Sequence, residues 1–299
     1  MITPPYLRHN DKIAIVSPAR KTAPTDVYPA IRMFRTWGLE VVEGEHLYDA
    51  QDQFAGSDEQ RLADLQHMLD DDSVRAIISS RGGYGTVRLV DKLDFTRFAK
   101  NPKWIVGFSD VTVLHSHIHR HYSIETLHAV MPVHFKDQCD ADPAISTLKR
   151  ALTGRGLSYL FTSDNTNRKG TGKGQLVGGN LSILYSLSGT PSDINTDGKI
   201  LFLEDLDEYL YHLDRMMMNL KRSGKLKNLA GLIVGSMTKM RDNEVPYGKT
   251  ANEIIAAAVA DYSYPVCYNF PAGHQEDNRA LILGREVTLE VGSEVRLSF

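Results

Sequence analysis

The alternation of short apolar, β-branched runs with segments of helical periodicity through its first half constrains this chain most. Residues 12–17 (KIAIVS), 39–42, 74–79 (VRAIIS) and 104–108 (WIVGF) are short, apolar and bounded by turn residues. That is the pattern of strands buried on both faces. Between them, residues 26–37 and 58–69 place apolar side chains at helical spacing; Leu62, Leu65, Met68 and Leu69 share one face, with Ser57 positioned as N-cap. Strand then helix, repeated, predicts an α/β fold with a parallel sheet and right-handed crossovers. Ligands of such sheets sit at the carboxyl ends of the strands, so candidate chemistry is sought there.

Leu148 closes a further helical stretch, after which residues 153–174 (TGRGLSYLFTSDNTNRKGTGKG) read as an exposed link between domains. Beyond lie a strand at 199–203, a helix around 209–220, a strand at 230–234 and a helix at 251–260. Residues 281–299 alternate Val287, Leu289, Val291 and Val295, Leu297 about Gly292-Ser293, a β-hairpin pattern. The expected organisation is an N-terminal α/β domain over 1–153, a linker over 154–173 and a mixed C-terminal domain over 174–299. With 34 basic and 37 acidic side chains the net charge is −3, and no bulk field selects nucleic acid or an anionic membrane. Cys139 and Cys267 are far apart and outside any metal-ligand spacing; this excludes a disulfide framework and a structural zinc site, and either reads as an ordinary buried thiol. A basic stretch leading into an apolar run is missing at the N-terminus, and no run reaches about 18 apolar residues, so a soluble, cytoplasmic chain is expected.

Four local signals carry chemistry. In WIVGFSD (104–110) Ser109 lies where a strand turns into a helix, where helix N–H groups stabilise an oxyanion; it is a candidate nucleophile, although on this motif alone the usual role of Ser109 or Asp110, capping the helix, is the preferred reading. The segment is not the G-x-S-x-G elbow, because Val111 stands where that motif needs glycine. RGGYG (81–85) follows a strand, and its glycines allow backbone N–H groups to approach a ligand; Arg88 breaks the dinucleotide fingerprint, and Asn243 breaks the P-loop pattern around Gly248-Lys249-Thr250. His274, in the Pro/Gly-bounded turn FPAGH (270–274), is a catalytic candidate, whereas His115, His117, His119 and His121 read as polar helix residues in solvent and not metal ligands. Glu204, Asp205, Asp207 and Glu208 follow the strand 199–203. A carboxylate there can orient an imidazole; for Asp207 and Glu208 a solvated turn is preferred.

Several of these segments, in order along nearly the whole length, resemble the LD-carboxypeptidase family of serine peptidases, which includes murein tetrapeptide carboxypeptidases and microcin C self-immunity peptidases. The segments are the opening strand with Ser17-Pro18-Ala19, RGGYG, GFSD at 107–110, GGNLS at 178–182, KILFLEDLDE at 199–208, LDRMMMNL at 213–220, and FPAGH with Gly284 and the terminal hairpin. The resemblance implies Ser109 as nucleophile, His274 as general base and Glu204 as its orienting partner. It further implies a Rossmann-like (class I amidotransferase-like) N-terminal domain, a smaller swivelling C-terminal domain, a homodimer, and no metal or organic cofactor. Phe108 stands where tyrosine is common, and QEDNRALILG after His274 is less typical of the family.

On this reading the partner is a small peptide, murein tetrapeptide, cleaved between an L-configured diaminopimelate centre and terminal D-alanine. Backbone N–H groups of Gly83 and Asp110 would form the oxyanion hole, while Arg81 and Asn180 are candidate substrate contacts. One alternative is an immunity-type peptidase acting on an aminoacyl-adenylate-like amide; residues 153–174 hold only Tyr159 and Phe161 of the aromatics expected in that type's longer loop. The other is a non-catalytic small-molecule binder, which predicts that Ser109, Glu204 and His274 are not mutually within hydrogen-bond reach.

Overall fold

A computed structural model describes residues 1–136, 142–162 and 166–299; Cys139 lies outside the described residues. The first half runs β1 (Lys12–Val16), α1 (Pro24–Thr36), β2 (Glu40–Glu43), α2 (Asp58–Asp70), β3 (Val74–Ser79), α3 (Thr96–Lys100), β4 (Trp104–Val106), α4 (Thr112–His121), β5 (Thr126–His128) and α5 (Pro143–Leu152). The second runs β6 (Ser158–Thr162), β7 (Gly170–Asn180), α6 (Leu181–Ser186), β8 (Ile200–Leu206), α7 (Leu210–Arg222), β9 (Gly231–Thr238), α8 (Ala251–Ala258), β10 (Val266–Cys267), β11 (Leu281–Leu283), β12 (Glu286–Val291) and β13 (Glu294–Ser298).

The apolar runs of the first half form a sheet in the order β11-β5-β4-β3-β1-β2, parallel except at β11. Burial on both faces explains the near-continuous hydrophobicity of β1, β3 and β4, whereas β2 at the edge exposes Glu40 and Glu43 and only half-buries Val41 and Val42. Ser57 caps α2 with a reciprocal Gln60 bond, satisfying donors that helical geometry leaves free. The second sheet, β10-β9-β8-β7-β12-β13-β6, is parallel from β10 to β7 and antiparallel from β7 to β6. The β12–β13 hairpin pairs Val291 with Val295, as the alternation predicts.

Three expectations are corrected. The glycine-rich stretch expected to be an exposed linker carries β6 and the start of β7, strands of the second sheet. Its glycines serve close packing: a Cβ at Gly172 would lie 2.0 Å from the Ala230 carbonyl oxygen. The strand expected to end at Leu203 continues to Leu206, so Glu204 and Asp205 belong to the buried sheet. The histidines of α4 are not solvated: His115, His117 and His119 are 0%, 9% and 6% exposed, and only His121 lies outside. Helix α4 packs against both β5 and the second half's β7 and α6, contacts that no periodicity within α4 reports. Burial pushes His115 down to about 4 while its Nε2 bonds the Gly107 carbonyl at 2.9 Å.

Candidate active site

The two sheets present their chemistry to one another at the carboxyl ends of β4 and β8. After β4, Gly107 takes φ 151 and Ser109 φ 62. A non-glycine residue in the left-handed region costs on the order of 1–3 kcal/mol and persists only where its surroundings hold it. At Gly107 a Cβ would lie 2.8 Å from Val111 Cγ2, so the valine that replaces the motif's second glycine packs against the first.

The RGGYG loop lies on this turn. A Cβ at Gly82 would fall 2.8 Å from Ser109 Cβ and 2.9 Å from its Oγ. The loop is anchored from behind: the buried Asp110 carboxylate accepts the Thr86 N–H at 2.9 Å, and Arg61, itself 2% exposed, donates to the Pro18 carbonyl at 2.7 Å. Burial raises the Asp110 carboxyl above its ordinary range, against the Thr86 bonds and the Arg61 charge. The Gly83 N–H has no acceptor among the described residues.

From the second half, Glu204 enters on β8 in register with Asn180 of β7 and is fully buried. Its Oε2 accepts from His274 Nδ1 at 2.6 Å and from the His274 backbone N–H at 3.2 Å. Gly273 makes this possible. At φ 110, a Cβ there would stand 2.8 Å from both Cβ and Oε2 of Glu204. Thr238 Oγ1 donates to the His274 carbonyl at 2.6 Å, and the ring centroid lies 4.8 Å from that of Phe108. Burial pulls the His274 pKa down, but the Glu204 hydrogen bond and charge, joined by Asp205, outweigh it and leave the imidazole above its ordinary value. With Nδ1 committed to Glu204, Nε2 is the nitrogen free for proton transfer.

Ser109, His274, Arg81, Gly82 and Gly83 line one cavity of about 270 Å³, with Arg20 beside them and no carboxylate on the wall among the described residues. No hydrogen bond joins Ser109 Oγ to the His274 ring among the described residues; the two groups share the cavity. Burial and the neighbouring Arg20 lower the Arg81 pKa, a site set to favour an anionic group. Asn180 does not line this cavity. Its Oδ1 caps α6 through the Ile183 N–H at 3.1 Å, and its Nδ2 donates to Asp205 Oδ1 at 3.0 Å. Among the described residues no cluster of three or more His, Cys, Asp or Glu could hold a metal ion, and no helix is long and apolar enough to cross a membrane.

The sequence does not single out Arg20 or Thr112, and it marks Gly82 only as part of the RGGYG loop. The Gly82-Gly83 doublet was a usable signal for close approach. Asp205 was visible only as one acid among four.

The chain matches known proteins along nearly its whole length. The family model described as LD-carboxypeptidase N-terminal domain matches residues 13–129, and that described as LD-carboxypeptidase C-terminal domain matches residues 173–289. A probable murein peptide carboxypeptidase of Bacillus subtilis is 32% identical over 97% of this chain and 92% of its own. The murein tetrapeptide carboxypeptidase of Pseudomonas aeruginosa is 31% identical over 95% and 94%. Among solved structures, muramoyltetrapeptide carboxypeptidase from Oxalobacter formigenes superposes with TM-score 0.85 at 29% identity, covering 96% of this chain and 97% of that one. The microcin C7 self immunity protein MccF superposes with TM-score 0.88 at 19% identity, covering 100% and 98%, a likeness of fold.

Proposed function

Because the chain belongs to the LD-carboxypeptidase family, we propose that it is a serine-type carboxypeptidase releasing terminal D-alanine from murein tetrapeptide. The observation that carries this reading is the short Glu204–His274 bond opening onto the cavity that Ser109 lines. Ser109 Oγ attacks the carbonyl of the L-configured centre joined to D-alanine. His274 Nε2 takes the serine proton and delivers it to the leaving amine, which departs as D-alanine and leaves an acyl-serine ester. A water then attacks the ester as His274 takes its proton, and the imidazolium returns that proton to Ser109 Oγ as the C–Oγ bond breaks and the shortened peptide leaves. Glu204 holds the imidazole by Nδ1 and stabilises the imidazolium. The N–H groups of Gly83 and Asp110 receive the oxyanion, a reading supported by the close approach of the glycine loop to Ser109. Arg81 and Arg20 supply positive charge for the substrate's terminal carboxylate, supported by the acid-free wall. Asn180 acts from inside the fold. Action in the cytoplasm as a homodimer completes the proposal.

Ser109→Ala is expected to abolish D-alanine release from the tetrapeptide without lowering the melting temperature. Wild-type turnover by that variant would remove the assignment. An aminoacyl sulfamoyl adenylate assayed beside the tetrapeptide distinguishes the immunity-type activity, which requires cleavage of the former in preference.

A further inference from the structure

Asp205, next to the proposed orienting glutamate, is 1% exposed. Its Oδ1 accepts from Asn180 Nδ2 at 3.0 Å and from the Leu206 N–H at 2.9 Å; its Oδ2 accepts from the Ser182 N–H at 2.8 Å. Asn180 continues the chain of contacts in the other direction. Its backbone N–H donates to Thr112 Oγ1 at 3.1 Å, and Thr112, fully buried, is the first residue of α4, three positions after Ser109. Gly179 lets β7 and the start of α4 come this close, since a Cβ there would lie 2.6 Å from Thr112 Oγ1. A continuous polar path thus runs from the nucleophile's helix through Thr112, Asn180 and Asp205 to the strand that holds Glu204 and His274.

We propose that Asp205 is a positioning residue that, through Asn180 and Thr112, fixes the register of the Ser109 turn against the Glu204–His274 pair. The inference rests on the serine carboxypeptidase reading and adds the device that aligns its two halves. In the register β7/β8, Asn180 stands opposite Glu204, so Asp205 is set one residue beyond the orienting carboxylate. A carboxylate suits the position because all its hydrogen-bonding neighbours are donors; an amide would turn an NH2 group toward at least one of them. The negative charge also reaches His274. The charged and titratable groups around that ring are Glu204 and Asp205 from β8, His128 from β5, His134 just after it, and Arg81 and Arg20 from the loops. Burial holds His128 and His134 toward the neutral form, so Asp205 is the second acid acting on the base. Asp205 itself is pushed up to about 7 by burial and by Glu204, so its charge is present in part over the range in which the imidazole titrates and in full above it.

The test compares Asp205→Asn, Thr112→Val and Thr112→Ser in the full chain, with kcat and KM for D-alanine release, a pH profile and a thermal melt for each. Asp205→Asn is expected to lower kcat by about 10–100-fold, the cost of a misplacement of up to 1 Å between reacting groups, with KM little changed. It also moves the acid limb of kcat/KM to lower pH, because removing the charge lowers the His274 pKa. Thr112→Val is expected to lower kcat and leave the limb in place, and Thr112→Ser, which restores the hydroxyl, to recover it. Unchanged kcat and an unmoved limb in a folded Asp205→Asn overturn the positioning role, as does a loss confined to melting temperature. Absence of D-alanine release by the wild-type chain is a separate outcome and overturns the functional reading itself.

Discussion

Gly82→Ala isolates one contact on which the proposed chemistry depends. The position needs no left-handed backbone, so the substitution acts through space alone. The new Cβ would stand 2.8 Å from Ser109 Cβ, and ordinary contact begins at 3.4 Å, so loop and serine turn must separate by 3.4 − 2.8 = 0.6 Å. The loop is the freer partner, because Ser109 is held by the buried start of α4 while Gly82 and Gly83 border solvent. Its retreat carries the Gly83 N–H away from the developing oxyanion. Loss of one such donor costs about 2.7–4 kcal/mol, or about 10²–10³-fold in kcat at 1.36 kcal/mol per tenfold. Global stability should fall by no more than the roughly 1–3 kcal/mol of an overpacked site. The assay is initial-rate release of D-alanine from murein tetrapeptide across a substrate series, with a denaturant melt on the same preparation. Near-wild-type kcat in the folded variant would refute the loop's role in stabilising the oxyanion. A loss seen only in KM would mean that the loop binds substrate and not the transition state.

Other consequences follow from the same geometry. Glu204→Gln is expected to cut kcat by roughly 10⁴-fold, the cost of losing the orienting carboxylate in a triad, and to move the acid limb of the pH–rate profile downward; an unmoved limb would dissociate Glu204 from the base. Arg285→Ala leaves Glu125, 5% exposed on its side chain and bonded to Arg285 at 2.5 Å and 3.1 Å, as an uncompensated buried charge. The expected loss of about 3–5 kcal/mol is read by urea denaturation. Because the folded His115 pKa, about 4, lies below its ordinary 6.5, the unfolded chain binds more protons between those values. Stability is therefore retained above pH 6.5 and lost as pH falls toward 4, by up to about 3 kcal/mol from this group. His115→Asn should flatten that slope in melts recorded from pH 7 to 4.5.

The parts of the molecule legible in the sequence are those set by local chemistry. The parallel-sheet pattern, the serine at a strand-to-helix turn and the histidine in a Pro/Gly-bounded loop each follow from residues adjacent in the chain. Glu204 and His274 meet at 2.6 Å, but their separation of 70 positions gives no local sign of it; order among strand ends and family resemblance pointed there. What escaped was decided by distant packing. Glycines at 172 and 174 look like flexibility until the carbonyls of Ala230 and Gly198 are seen to fill the space their side chains would take. The α4 histidines look solvated until the second half covers them. Asp205 differs from Asp207 by two positions, yet one is buried among donors and the other pairs with Arg241 at the surface.

The antiparallel pairing of β11 with β5 has a consequence for biosynthesis. About 150 residues separate those two strands, so at 5–20 residues per second the edge of β5 waits roughly 8–30 s for its neighbour to leave the ribosome. An open edge is a template for mispairing. Only Thr126, Leu127 and His128 make up that edge, whereas the opposite edge, β2, is permanent and carries Glu40 and Glu43 at its ends. The nascent chain thus leaves a strand of only three residues waiting and guards with charge the edge that the sheet leaves open.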